Sequence, residues 1–271
     1  MAFTASSTAV PLEAAAFGDD PGRWPLPAAH DCMHRWLRAV AAGGQGRYGS
    51  AAAELSELLR DRPEARFASL ALSTKASFLR QLGWHWLAHD WDGRAWARAA
   101  GDPEAGADAL IGLAADALGV GRLAASAALL ARAAGLVHTR PAPPPRLEIR
   151  LAWVRAELAM ASGDGDSAVR HARCGVELAQ AAVPLLRRHR VKSDVVLAAA
   201  LCCCGDLAAA RAVADAALQA TEAYRLVPLR WALACLLADI GSGAHSPAVI
   251  ADIRDRSAWF VVRHGGRWNA R

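Results

Sequence analysis

Two pairs of histidines, His30/His34 and His85/His89, stand four residues apart in segments with helical periodicity. That spacing puts both imidazoles on one helix face, where they could share a metal ion. Neither pair encloses a glutamate in the H-E-x-x-H manner, and no third ligand is evident, so packing or surface roles are expected. Asp164-Gly-Asp166-Ser167 opens like a calcium loop, but Gly175 stands where the bidentate acid belongs. The same residues serve as a turn and helix cap. Gly119-Val-Gly121 lacks the third glycine of a dinucleotide fingerprint and precedes no strand. The chain has neither a phosphate-binding glycine-lysine loop nor a G-x-S-x-G elbow. These residues do not add up to a catalytic set; no enzyme activity, cofactor or metal is expected.

Binding chemistry is better represented. The chain has ten tryptophans against two tyrosines and five phenylalanines, and Trp84, Trp86, Trp91 and Trp96 fall close together. Arg80, Arg150 and Lys192 are isolated cations inside apolar helical stretches, and the run Arg187-Arg-His-Arg190 precedes Lys192. Arginine grips a carboxylate in bidentate fashion, so a basic groove suits an acidic segment or a free carboxylate.

What positions these side chains is a repeat. A small residue follows a tight-turn residue by five steps at Gly46–Ala51, Asp90–Ala95, Gly121–Ser126, Gly163–Ala168 and Gly205–Ala210. The small members recur every 31 to 44 residues, a period typical of stacked helical hairpins. The turn glycine permits a sharp reversal, and the small side chain lets the second helix approach the first. Alanine is abundant and β-branched runs are scarce, so the chain should be all-helical. Helix pairs are predicted at 30–44/49–61, 65–88/92–100, 103–118/123–136, 146–162/166–182 and 186–204/207–222. Single helices follow at 226–240 and from Ser246-Pro247 to about Arg263. Residues 1–28, punctuated by four prolines, read as a disordered leader. The run Thr139-Arg-Pro-Ala-Pro-Pro-Pro145 reads as a short stiff link. Residues 29–245 then form the repeat domain, and 246–271 a capping helix with a basic tail.

The second unit reads Leu79-x2-Leu82-Gly83-x2-Trp86-x8-Ala95-x3-Ala99, and the first supplies Gly46-Arg-Tyr48, Ala51, Leu55, Leu58 and Pro63. These residues resemble the tetratricopeptide (TPR) pattern, in a variant with repeats near 42 residues rather than 34. The resemblance implies a TPR-like α-α superhelix, a right-handed solenoid of five to six hairpins. With the small residue as position 20 of each repeat, it also implies that positions 2 and 5 of the first helices face a concave groove. Arg150 and Lys192 then take position 2; Arg80, Trp36 and Trp153 take position 5, as does Trp231 if Gly241 is a turn. Most of the tryptophans are nonetheless read as core. The expected groove anchors are Arg80, Trp84, Arg150, Trp153, Glu157 and Lys192.

The formal charge of +5 comes almost wholly from arginine, since Lys75 and Lys192 are the only lysines. With the alanine excess, this reflects codon bias more than a nucleic-acid footprint, which concentrates charge on one face. No direct nucleic-acid partner is expected. No segment has the apolar length of a membrane span, and none of the six cysteines forms a C-x-x-C pair. A cytoplasmic location is expected. The chain therefore reads as a non-catalytic adaptor that holds an acidic peptide or helix of a protein partner in its groove. The alternative is a regulatory ligand-sensing module that acts with a transcriptional partner.

Overall fold

A computed structural model describes residues 4–139 and 142–269 and contains thirteen α-helices and no strand among them. After α1 (Thr4–Phe17) come six antiparallel pairs. They are α2 (Cys32–Gly44) with α3 (Tyr48–Arg60), α4 (Ala65–Gln81) with α5 (His85–Arg98), and α6 (Pro103–Gly119) with α7 (Leu123–His138). Then follow α8 (Pro145–Ala161) with α9 (Gly165–Ala181), α10 (Arg187–Cys203) with α11 (Leu207–Ala223), and α12 (Val227–Ile240) with α13 (Pro247–Arg263). Of the proline-rich link, Arg140 and Pro141 lie outside the described residues; Pro145 opens α8 in the first turn, where its missing N–H costs nothing. No helix among the described residues is long and apolar enough to cross a membrane.

Each of the first five reversals is built alike. Gly46, Gly83, Gly121, Gly163 and Gly205 all have φ between +75° and +88°, a region that favours glycine. In each, the next residue's N–H returns to a carbonyl five positions back, as Arg47 does to Ala42 and Asp164 to Ala159. Five steps past the glycine stand Ala51, Ala88, Ser126, Ala168 and Ala210, every one 0% exposed. The second hairpin corrects the expectation: its turn is Gly83, not Asp90, which lies exposed within α5. The small residue of that unit is therefore Ala88, and the repeat becomes more even. The Leu82-Gly83 pair that carried the resemblance consequently occupies a turn rather than the middle of a first helix.

Consecutive helices pack on one another, and the first members α2, α4, α6, α8, α10 and α12 also pack in sequence as an inner row. Leucines such as Leu55, Leu110, Leu147, Leu218 and Leu233 fill the layer between the rows. Each contributes roughly 1.5–3 kcal/mol by its burial.

Both ends of the described residues pack on the hairpins. The leader expected to be disordered carries α1, whose Leu12, Ala15 and Ala16 are buried against α2. Gly18 O accepts a hydrogen bond from Arg187 N at the start of α10 (3.1 Å). Past α13 the tail crosses to the first two hairpins. Gly49 N donates to His264 O (2.7 Å), Asn269 N to Leu82 O (2.9 Å), and Trp84 Nε1 to Arg267 O (2.7 Å). Trp268 stacks on Trp231 of α12 with ring centres 4.1 Å apart. The row of hairpins thus returns on itself.

Candidate functional site

The inner helices surround one cavity of about 560 Å³, to which α1 adds Phe17. Four of the six residues that stand ten positions before a turn glycine face it; Ile111 and Val195, at the same offset, do not. Trp36, Ser73, Trp153 and Trp231 all stand ten residues before the glycine of their hairpin, and all four line the cavity. The expectation that most tryptophans are core holds for Trp36, which is part of the buried core, but Trp153 and Trp231 are only partly buried and Trp86, Trp96 and Trp259 are exposed. Two of the indole N–H groups on the wall are fixed: Trp36 Nε1 donates to Thr74 Oγ1 (3.0 Å) and Trp153 Nε1 to Ser193 Oγ (2.8 Å).

Of the six expected anchors, the structure brings Arg80, Arg150, Trp153, Glu157 and Lys192 together on this cavity. It does not bring Trp84. Trp84 sits in the turn before α5 and holds the tail through Arg267. Lys192 Nζ lies 3.4 Å from Glu157 Oε1, with both side chains about one-third exposed, so solvent weakens that pair.

Arg80 is held from behind by two buried acids. It donates to Asp92 (2.9 Å) on α5, to Asp116 on α6 and to the carbonyl of Gly112 (3.1 Å). Gly112 is required: a Cβ there would lie 2.1 Å from an Asp92 oxygen. Both carboxylates are 0% exposed as side chains. Burial pushes Asp92 up to about 7, with Arg80 opposing and Asp116 reinforcing the rise. Burial raises Asp116 as well, while Arg80 opposes.

Three functional candidates were missed: Arg146, Arg188 and His189, all lining the cavity. A signal existed, for Arg146 and Arg188 are separated by 42 residues, as are Arg150 and Lys192. Arg146 donates to Glu104 (2.7 Å) and Asp108 (2.5 Å) on α6, and Arg150 also pairs with Asp108. Arg188 Nη1 donates to Val40 O (3.2 Å). The Phe17 ring centre lies 5.3 Å from the Arg146 guanidinium, 6.0 Å from that of Arg188 and 5.3 Å from the Trp36 ring. His189 stacks on Trp153 at 5.5 Å. Burial, followed by Arg188, Arg146 and Arg150, holds its imidazole well below the usual histidine range, so it is neutral. Burial also brings Arg188 down to about 10, with Arg146 adding to the effect.

The hydroxyls around the cavity are spent on structure. Thr74, Ser77 and Ser193 donate to the carbonyls of Leu70, Thr74 and Gly175. His85 lines the cavity over Gly119, while His89 is exposed. Among the described residues no group of three or more potential ligands is arranged for a metal. Asp164 caps α9, accepting from Ser167 N (2.9 Å). No protein-family model matches the chain, and no curated protein is significantly similar to it.

Proposed function

We propose that the protein is a non-catalytic binding module, built as a TPR-like superhelix of the long-repeat type, whose central cavity holds a compact acidic ligand. The observation that carries this reading is the cavity itself. Its 560 Å³ falls within the range of small-molecule sites, and tryptophans alternate with guanidinium groups on its wall. The ends of the hairpin row are tied by the tail's hydrogen bonds, which favours a compact ligand over a long extended peptide. Occupancy would then be read by a partner, the regulatory form of the function. An adaptor for the acidic end of a partner protein is the second reading, supported by the same basic wall.

Thermal shift against a panel of small acids tests the first reading. A true ligand at a hundred times its Kd stabilises the fold by about 2.7 kcal/mol. The shift should vanish in Ala115→Phe, which fills the cavity from α6. If no acid shifts the wild type, while a partner captured from lysate is lost from Lys192→Glu, the adaptor reading replaces it.

A further inference from the structure

The inner helices carry a ladder of charges in register with the turn glycines. Seventeen residues before each glycine stand Arg66, Glu104, Arg146 and Arg188, on α4, α6, α8 and α10. Arg66 Nη2 meets Glu104 Oε2 at 2.5 Å, and Arg146 Nη2 meets Glu104 Oε1 at 2.7 Å. The order is plus, minus, plus, and then plus again. Arg188 has no carboxylate within ion-pair range among the described residues. A second row, thirteen residues before the glycines, repeats the break. Asp108 on α6 pairs with Arg150 on α8, but the next rung is Lys192, which turns to Glu157 on α8. Both rows therefore set cation against cation at the seam between α8 and α10.

Of these four cations only Arg188 lacks a carboxylate, and burying a charge without a counter-ion is costly, so a missing anion is the simplest completion of the ladder. The seam is prepared for one. Arg146 and Arg188 each occupy the second position of their helix, where the helix dipole also favours negative charge. His189, 3% exposed, lines the same cavity, and its Nδ1 is buried with no hydrogen-bond partner. Arg146 and Arg150 are paired with Glu104 and Asp108, and Asp92 acts on Arg150 as well, whereas Arg188 faces no carboxylate of its own. Arg66, the other claimant on Glu104, is 43% exposed and is served by solvent. Phe17, Trp36 and Trp153 line the same cavity, Phe17 against Trp36 and Trp153 stacked on His189.

We infer that the ligand is a flat aromatic monocarboxylate, its carboxylate seated between Arg146, Arg150 and Arg188 and its ring against Phe17, Trp36 and Trp153. This inference rests on the cavity reading above and narrows it to a chemical class. Arg146 and Arg150 already donate to Glu104 and Asp108, so the fork left for a carboxylate is chiefly that of Arg188, which donates to Val40 O, and the tryptophans supply the stacking surface.

The test is calorimetric titration of the full chain with 2-naphthoate, its neutral amide 2-naphthamide, and inorganic phosphate. The acid should bind the wild type at least tenfold more tightly than the amide. Arg188→Gln should weaken the acid at least tenfold and leave the amide unchanged. If Arg188→Gln does not fold, Arg188→Lys keeps the charge without the fork and should still weaken the acid severalfold. Equal binding of acid and amide, both abolished by Ala115→Phe, overturns the inference but leaves the cavity reading standing. Phosphate binding in place of the acid, sensitive to Arg188→Gln, overturns the carboxylate class. Binding of none of the three overturns the inference; the cavity reading falls with it only if the wider acid panel is also silent.

Discussion

Replacing Asp92 by asparagine should abolish much of the protein's loss of stability towards alkaline pH. Asp92 and Asp116 converge on Arg80, and the Asp92 carboxyl is raised to about 7 from an ordinary 3.8, chiefly by burial. The folded state therefore keeps the proton over a range where the unfolded chain has released it. Stability from this group is complete below the unfolded value and is lost as pH rises through the folded one. A gap of about 3 units corresponds to about 4 kcal/mol in full. Between pH 5 and pH 8 roughly 2 to 3 kcal/mol of it should disappear. Asparagine has nearly the same shape, accepts from Arg80 and donates to Asp116, but does not titrate. Urea unfolding at intervals from pH 5 to pH 8 is the assay, and the mutant-minus-wild-type difference is the quantity to follow, since other titrating groups largely cancel in it. That difference should climb by about 2 to 3 kcal/mol in favour of the mutant across the range. Curves that stay parallel to within about 0.5 kcal/mol would refute a proton retained at this pair.

Other consequences concern the turns, the packing and the tail. Gly83→Ala should cost about 1 kcal/mol or more, because residue 83 has φ +86° and a Cβ would crowd Asn269. Gly135→Ala, at an open position within α7, should instead stabilise by about 0.5–1 kcal/mol, both read from urea midpoints. Ala168→Leu at a 0% exposed contact between α8 and α9 should destabilise by about 1–3 kcal/mol in the same assay. Trp84→Phe removes the bond to Arg267 O and should cost about 1 kcal/mol. Hydrogen exchange should quicken at Asn269 N in that variant while ligand binding in the cavity persists.

The hairpins were legible because glycine and a small residue five steps later are both demanded by the geometry of a tight reversal. The second hairpin misled because Trp84-His-Trp-Leu87 continues the apolar pattern of α4 across the turn, and no side chain caps α5 to mark its start. Helix α1 escaped notice because Pro11 lies inside it and its burial depends on packing against other helices, α2 and, far along the chain, α10. Arg80 reached the cavity although its register had been counted from the wrong alanine. Arg150, Trp153 and Lys192 were found from their offset to a correctly placed turn, and all three line the cavity. Arg188 was visible only as part of a basic run. What distinguishes it is an absent partner, and partners on α6 and α8 cannot be read from a single helix.

An open row of hairpins can gain or lose a unit with little effect on the others, since each touches only its neighbours. The tail's bonds to Gly49, Leu82 and Trp84 remove that freedom here. One more hairpin would carry the last residues away from the first, and one fewer would leave them without room. The number of hairpins is thereby coupled to where the tail can reach. Melting should accordingly proceed as one event rather than peeling from an end.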